Sequence, residues 1–166
     1  MQIDIEVPEG LNSALTALGW LVGRWEGTGN GTDHDGRDFT FEQRIEFNHN
    51  GDEYLHYSSQ TFLIEDGQPG RSLDMETGFW RPKPNASLEV VLTHSEGWTE
   101  VLVGKIQVTR IDLQTDAVVR AEGAKVTHSS GTRLYGKVEN DLMYALDRST
   151  QSHELRPHMW ARLKRV

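Results

Sequence analysis

The feature that most constrains the fold is a glycine-spaced segment near the amino end, Gly23–Gly31 (GRWEGTGNG), whose glycines lie two or four residues apart. Side chains alternate between the two faces of an extended strand, so glycine at every second position empties one face. Such a face lets the backbone bend sharply or lets another surface pack against it. The segment therefore predicts a barrel-closing strand or the wall of a ligand cavity. A flexible glycine-rich connector is the alternative, but the large aromatic Trp25 favours a packed strand.

Most of the remaining chain consists of short alternating apolar and polar runs separated by turn residues. Phe39, Phe41, Ile45 and Phe47 share one face of such a run, and the Asn50-Gly51 pair after it is a hairpin signal. Short alternating runs separated by turn residues are typical of an antiparallel sandwich or barrel, and consecutive hairpins favour the barrel. We predict an all-β fold, an up-and-down barrel of about ten strands enclosing a ligand cavity.

The sequence pattern also predicts one helix, a single domain and a later strand. One short helix is expected within residues 11–22, where leucines recur at helical spacing, acting as a plug before the glycine strand. We expect a single domain over residues 1–166. One later strand is predicted over Lys105–Leu113, with Val108 facing inward.

Composition limits the partners and the site chemistry. The formal net charge of -8 argues against nucleic acid and against an anionic membrane surface. The stretch Met1–Gly10 has three acidic residues and no basic one, unlike a signal peptide, so a cytoplasmic location is expected. A monomer or a homodimer is compatible with the sequence. The absence of cysteine excludes thiolate ligands, and therefore any metal must be held by nitrogen or oxygen.

Two of the seven histidines are candidates for a buried site. His94 ends an apolar strand and should point inward near the barrel rim, whereas His158 opens the last strand; His128 is expected to be solvated. No His-x-His or His-x-x-x-His pair occurs, as a zinc site would favour. A heme iron needs only one axial imidazole, because the porphyrin supplies four nitrogens. No Gly-x-Ser-x-Gly nucleophile motif is present, and the carboxylates are expected on the solvated face.

The segment Gly23–Gly29 resembles the G-x-W-x-G-x-G motif of the nitrobindins, heme-binding β-barrels shaped like fatty-acid-binding proteins. The similarity continues through Glu76–Phe79 and Leu88–Leu92 and ends at Leu155-Arg156-Pro157-His158, in the L-x-x-H setting of the family's heme ligand. The resemblance implies one ferric heme b per chain, with His158 as the metal ligand and catalytic residue. It also implies conversion of peroxynitrite to nitrate and binding of nitric oxide.

The resemblance extends to further cofactor-binding residues. Lys125 would pair with a heme propionate, and His94 would be a distal hydrogen-bond donor or a second iron ligand. Arg156 or another polar neighbour would hydrogen-bond the free nitrogen of His158. The remaining candidates belong to the glycine motif: Gly23, Trp25, Gly27 and Gly29.

Two departures from the family pattern bear on this interpretation. Asp33-His34-Asp35 replaces the family's Tyr-Pro-Thr, placing two carboxylates where propionates are expected unless the loop swings outward. Strict alternation also places His158 on the polar face of the last strand, so an inward imidazole requires a β-bulge. The alternative function is a heme-free barrel that carries a fatty acid or another small apolar ligand.

Overall fold

A computed structural model of the chain describes residues 7–166. The first six residues of the predicted domain, which include most of the Met1–Gly10 stretch, lie outside the described residues. No helix within residues 7–166 has both the length and the apolar character needed to cross a membrane.

Ten antiparallel strands form a closed barrel in which every strand pairs with its neighbours in sequence, and β1 pairs with β10 to close it. The predicted up-and-down barrel is confirmed. The strands are β1 (Gly23–Thr32), β2 (Asp38–Asn48), β3 (Leu55–Glu65), β4 (Gln68–Lys83), β5 (Ser87–His94), β6 (Trp98–Gln107), β7 (Arg110–Arg120), β8 (His128–Val138), β9 (Asp141–Thr150) and β10 (His153–Arg165).

The glycines of β1 make the closure possible. Gly29 lies opposite Ala161 of β10 and Phe41 of β2. A Cβ atom at Gly29 would collide with the Phe41 ring and with the backbone of Trp160. The empty face of the glycine strand is therefore filled by core side chains of the neighbouring strands.

The amino-terminal segment forms the predicted helix as a 3₁₀ helix, Ser13–Leu21, capped by the Asn12 side chain. It buries Leu15, Leu18 and Leu21. The indole of Trp25 donates a hydrogen bond to the Leu21 carbonyl at 2.8 Å, which ties the helix to the start of β1. The helix thus plugs one end of the barrel, and the other end, where β1 finishes and β10 begins, is the mouth.

The single strand predicted over Lys105–Leu113 is wrong, because the chain reverses within it. Ile106 pairs with Ile111 and Gln107 with Arg110, so Val108 and Thr109 form the tip of a two-residue hairpin. Val108 is exposed at that tip, whereas Ile106 and Ile111 are buried. The alternation of apolar residues continues across the turn, and for this reason it conceals the turn.

Candidate functional site

His158 lies at the mouth of the barrel, in a β-bulge of β10. Pro157 pairs with Asp147 and Met159 with Leu146, so two successive partners on β9 face three residues on β10. The extra residue is His158, and the bulge that strict alternation required is present. The imidazole is half-buried, and its Nδ1 atom lies 2.9 Å from the carbonyl oxygen of Thr32 at the end of β1.

The charge state and tautomer of His158 follow from these surroundings. Burial lowers its pKa to about 3; the positive charge of Arg148 adds to this effect, and the hydrogen bond to Thr32 opposes it. The ring is therefore neutral near pH 7. A carbonyl oxygen only accepts, so Nδ1 carries the proton and Nε2 keeps its lone pair. A neutral imidazole anchored through one nitrogen is the form in which histidine binds a metal.

A cleft of about 600 Å³ opens beside His158. Its walls include the apolar side chains of Phe39, Leu63, Ile64 and Met159, and they also include polar residues, namely Asn30, Thr32, Asp38 and Thr40. The Phe39 ring lies 6.2 Å from the imidazole, centroid to centroid. A cleft with several apolar side chains and one available imidazole nitrogen matches the needs of heme, whose affinity rests on burial of the ring and on one axial ligand. The residues present therefore fit that cofactor.

The structure does not bring the other predicted cofactor-binding residues to this cleft. Lys125 is exposed in the loop between β7 and β8, where its backbone amide donates to the Glu96 carbonyl at 2.9 Å. Trp25 is in the barrel core beside the helical plug. The walls of the cleft include Gly31 of the glycine strand and exclude Gly23, Gly27 and Gly29.

The loop that departs from the family pattern is held by its own contacts. The Asp33 carboxylate accepts hydrogen bonds from the backbone amides of Asp35 and Arg37, both at 2.9 Å. The Arg156 side chain donates to the carbonyls of Asp33 and His34, also at 2.9 Å. Arg156 therefore positions the loop, and the partner of the His158 ring nitrogen is the Thr32 backbone.

His94 points into the barrel as predicted, but it lies in an interior cluster of charges. Its Nδ1 atom is 3.1 Å from Glu76 Oε2 and 3.7 Å from Asp74 Oδ2, and its Nε2 atom is 3.4 Å from Glu100 Oε1. The ring stacks on Trp98 at a centroid distance of 3.3 Å. His94 is thus one cation of a carboxylate cluster.

Arg133 is the centre of this interior cluster. Its two terminal nitrogens contact both oxygens of Glu76, at 2.6 and 2.9 Å, and one lies 3.3 Å from Glu100 Oε1. Tyr57 donates a further hydrogen bond to Glu76 at 2.7 Å. Burial alone would raise the pKa of Glu76, but Arg133 and His94 hold it well below its usual range. Because Arg133 occupies both Glu76 oxygens, the grouping of Asp74, Glu76 and His94 is better described as a charge network than as a metal site.

The sequence predictions missed most of this cluster. Glu76, Glu100 and His128 are buried, although these carboxylates and His128 were expected at the solvated surface. His128 Nε2 lies 3.1 Å from Glu100 Oε2, and its ring stacks on Trp98. The alternation of side chains along β6 would have predicted the burial of Glu100, because Glu100 shares the inward face of this strand with Trp98 and Leu102.

The barrel interior leaves little free space around the charged cluster of Arg133. A cavity of about 20 Å³ lies among the side chains of Gln43, Tyr144, Arg133 and Arg148. This is room for about one water molecule. The enclosed ligand cavity expected for ten strands is therefore not found here, because charged and aromatic side chains fill the space.

His94 gives the cluster a pH dependence. Burial alone would lower its pKa, but Glu76, Asp74 and Glu100 together raise it to about 10. The folded-state pKa exceeds the unfolded value of about 6.5, so the stabilisation is complete below that value and is lost as the pH rises through about 10. We predict that the difference in unfolding free energy between the wild type and His94→Gln is largest near pH 6 and shrinks towards pH 10. Urea unfolding at several pH values measures it, and a pH-independent difference would contradict the assignment.

The fold and the site together define a class: closed β-barrels with a neutral imidazole beside a partly apolar cleft at the mouth. The family model described as "THAP4-like, heme-binding beta-barrel domain" matches residues 14–165. The chain belongs to this family.

Several relatives agree with the family assignment over nearly their full length. A ferric nitrobindin-like protein of Cutibacterium acnes is 47% identical over 162 residues, covering 96% of this chain and 98% of the relative. A peroxynitrite isomerase of Nocardioides sp. is 40% identical, with the same coverage of both chains. The crystal structure of Rv2717c from M. tuberculosis superposes with a TM-score of 0.83 at 31% identity, covering 94% of this chain and 99% of that one.

Proposed function

We propose that the protein binds one heme b, in the ferric state, at the mouth of its barrel through Nε2 of His158, and that it converts peroxynitrite to nitrate. Nitric oxide is a second small ligand of the same site. The observation that carries the proposal is the neutral imidazole of His158, fixed by the Thr32 carbonyl in a cleft with several apolar side chains. The family model and the relatives named peroxynitrite isomerase support it.

His158 has one task in this scheme, which is to present a lone pair in a fixed direction. The hydrogen bond from Nδ1 to Thr32 sets the tautomer and raises the electron density on Nε2. Because the pKa of His158 is about 3, protonation does not compete for Nε2 at neutral pH. The bulge at His158 fixes the ring at the mouth.

The apolar side chains of the cleft have a different role from that of His158. Phe39, Leu63, Ile64 and Met159 would cover the faces of a flat cofactor and reduce the access of water. When bound, ferric heme supplies a Lewis acid with an open coordination position, which activates the O–O bond of peroxynitrite. Isomerisation moves one oxygen atom onto nitrogen without loss of atoms or electrons, so no co-reactant is needed.

The activity is tested by mixing hemin-loaded protein with peroxynitrite and following its decay by stopped-flow absorption. We expect the wild type to accelerate the decay and to raise the share of nitrate over nitrite. The His158→Ala variant should lose both effects, whereas His153→Ala, on the same strand but outside the cleft, should keep them. Equal rates for the wild type and His158→Ala would overturn the proposed reaction.

The alternative, a heme-free carrier of a fatty acid, is disfavoured by the charged interior. An acyl chain inside the barrel would have to displace or contact Arg133, Glu76 and Glu100, whose burial depends on their mutual contacts. A carrier would give no Soret band on addition of hemin, and its ligand affinity would not change in His158→Ala.

A further inference from the structure

Arg148 is a buried cation that has no carboxylate within hydrogen-bond distance among residues 7–166. Only 6% of its surface is exposed. Its nearest ion-pair contact joins NH1 to Glu96 Oε2 at 3.7 Å, which is longer than a hydrogen bond. Its guanidinium carbon lies 5.4 Å from the centre of the Trp98 ring, and its Nε atom has no hydrogen-bond partner among the described residues. A buried N–H donor without an acceptor is unfavourable unless a ligand or a water molecule supplies one.

The position of Arg148 connects it with the mouth. It lies on β9 one residue beyond Asp147, which pairs with Pro157 beside the bulge of His158. Its side chain lines the small interior cavity together with Met159, the residue that follows His158. Its positive charge also helps to lower the pKa of His158. Arg148 therefore lies near enough to His158 for its charge to affect the imidazole.

The cavity beside Arg148 contains further unused polar atoms. Among residues 7–166, the Nε atom of Arg133 is buried without a hydrogen-bond partner, and Arg133 lines the same cavity. Gln43 Oε1 and the Tyr144 hydroxyl, which belong to two further lining residues, also have no partner there. Both arginines thus line a space of about 20 Å³, the size of one oxygen atom or one water molecule. Asp74 and Glu76 also border it, but Arg133 contacts both oxygens of Glu76, and Asp74 accepts from Ser95 at 2.8 Å.

We propose that Arg148 and this cavity form a subsite for a small oxyanion, in which one oxygen of the anion enters the cavity and accepts hydrogen bonds from the guanidinium groups. The contact to Glu96, at 3.7 Å, is longer than a hydrogen bond and so leaves N–H donors of Arg148 available to the anion. That the anion is a nitrogen oxyanion rests on the proposed function, whereas the subsite itself requires only this chain's own residues. A planar anion with several acceptor oxygens suits the fork of N–H donors on arginine.

The subsite is tested in protein without hemin by calorimetric titration with nitrate. The wild type should bind nitrate, and Arg148→Met should weaken binding by about 10- to 100-fold, the effect of losing one charge-assisted hydrogen bond. Arg148→Lys, which keeps the charge, should weaken binding less and provides a second variant if Arg148→Met does not fold. Arg110→Met, which removes an exposed arginine at the far end of β7, is the matched control and should bind like the wild type.

No nitrate binding by the wild type, or equal binding by Arg148→Met, would overturn the subsite. Hemin titrations of the same variants distinguish a failure of the subsite from a failure of the proposed function. Arg148-dependent nitrate binding without a Soret band would support the subsite and contradict the heme proposal. A Soret band without nitrate binding would support the heme proposal and contradict the subsite.

Discussion

Replacing Arg133 by methionine should destabilise the protein by roughly 3–5 kcal/mol, as expected when one partner of a buried ion pair is removed. Arg133 supplies the cation that contacts both oxygens of Glu76 and one oxygen of Glu100. Methionine fills a similar volume but leaves Glu76 buried without its main counter-charge, and it removes one of the groups that stabilise the charge of Glu100. The measurement is the free energy of unfolding in urea at pH 7.

Arg110→Met is the matched control, because Arg110 pairs with Asp112 at the surface, where salt bridges contribute little. A second comparison isolates the electrostatic cause. Adding Glu76→Gln to Arg133→Met should recover part of the lost stability, since the unpaired carboxylate is then removed. If Arg133→Met unfolds at the same urea concentration as the wild type, the interior network does not contribute to stability in the way described.

Replacing His158 by alanine should weaken hemin binding by at least about 100-fold, because the axial ligand is lost while the apolar walls of the cleft remain. The affinity can be measured by quenching of tryptophan fluorescence as hemin is added. Protein stability should change little, since the ring is half-buried and its one hydrogen bond within residues 7–166 is to a backbone carbonyl at the mouth.

Free imidazole provides a sharp control for this second prediction. Added to His158→Ala, it should enter the space left by the side chain and restore much of the hemin affinity, because the apolar walls are intact. His153→Ala should bind hemin like the wild type. Undiminished affinity in His158→Ala would place the cofactor elsewhere on the barrel.

The sequence predicted the architecture well because barrel closure depends on local patterns. Alternating apolar residues, turn residues and the glycines of β1 are each visible in a few neighbouring positions, and together they imply ten paired strands. The hairpin tip at Val108 was missed for the same reason, because an apolar residue continued the alternation through a turn that contains no glycine or proline.

The site was predictable in part. The need for a bulge at His158 followed from its parity in β10, and the inward direction of His94 followed from its parity in β5. The partners of these histidines did not follow, because they come from distant parts of the chain. The Thr32 carbonyl is 126 residues from His158, and Arg133 is 57 residues from Glu76. A charged residue on an inward face is recognisable as buried only once a counter-charge is known to lie across the barrel.

Coordination of the heme iron by Nε2 of His158 is tested by resonance Raman spectroscopy of hemin-loaded protein after reduction. We expect an iron–imidazole stretching band that shifts when the histidines carry ¹⁵N and that disappears in His158→Ala. A spectrum without such a band in the wild type, or an unchanged band in His158→Ala, would contradict it.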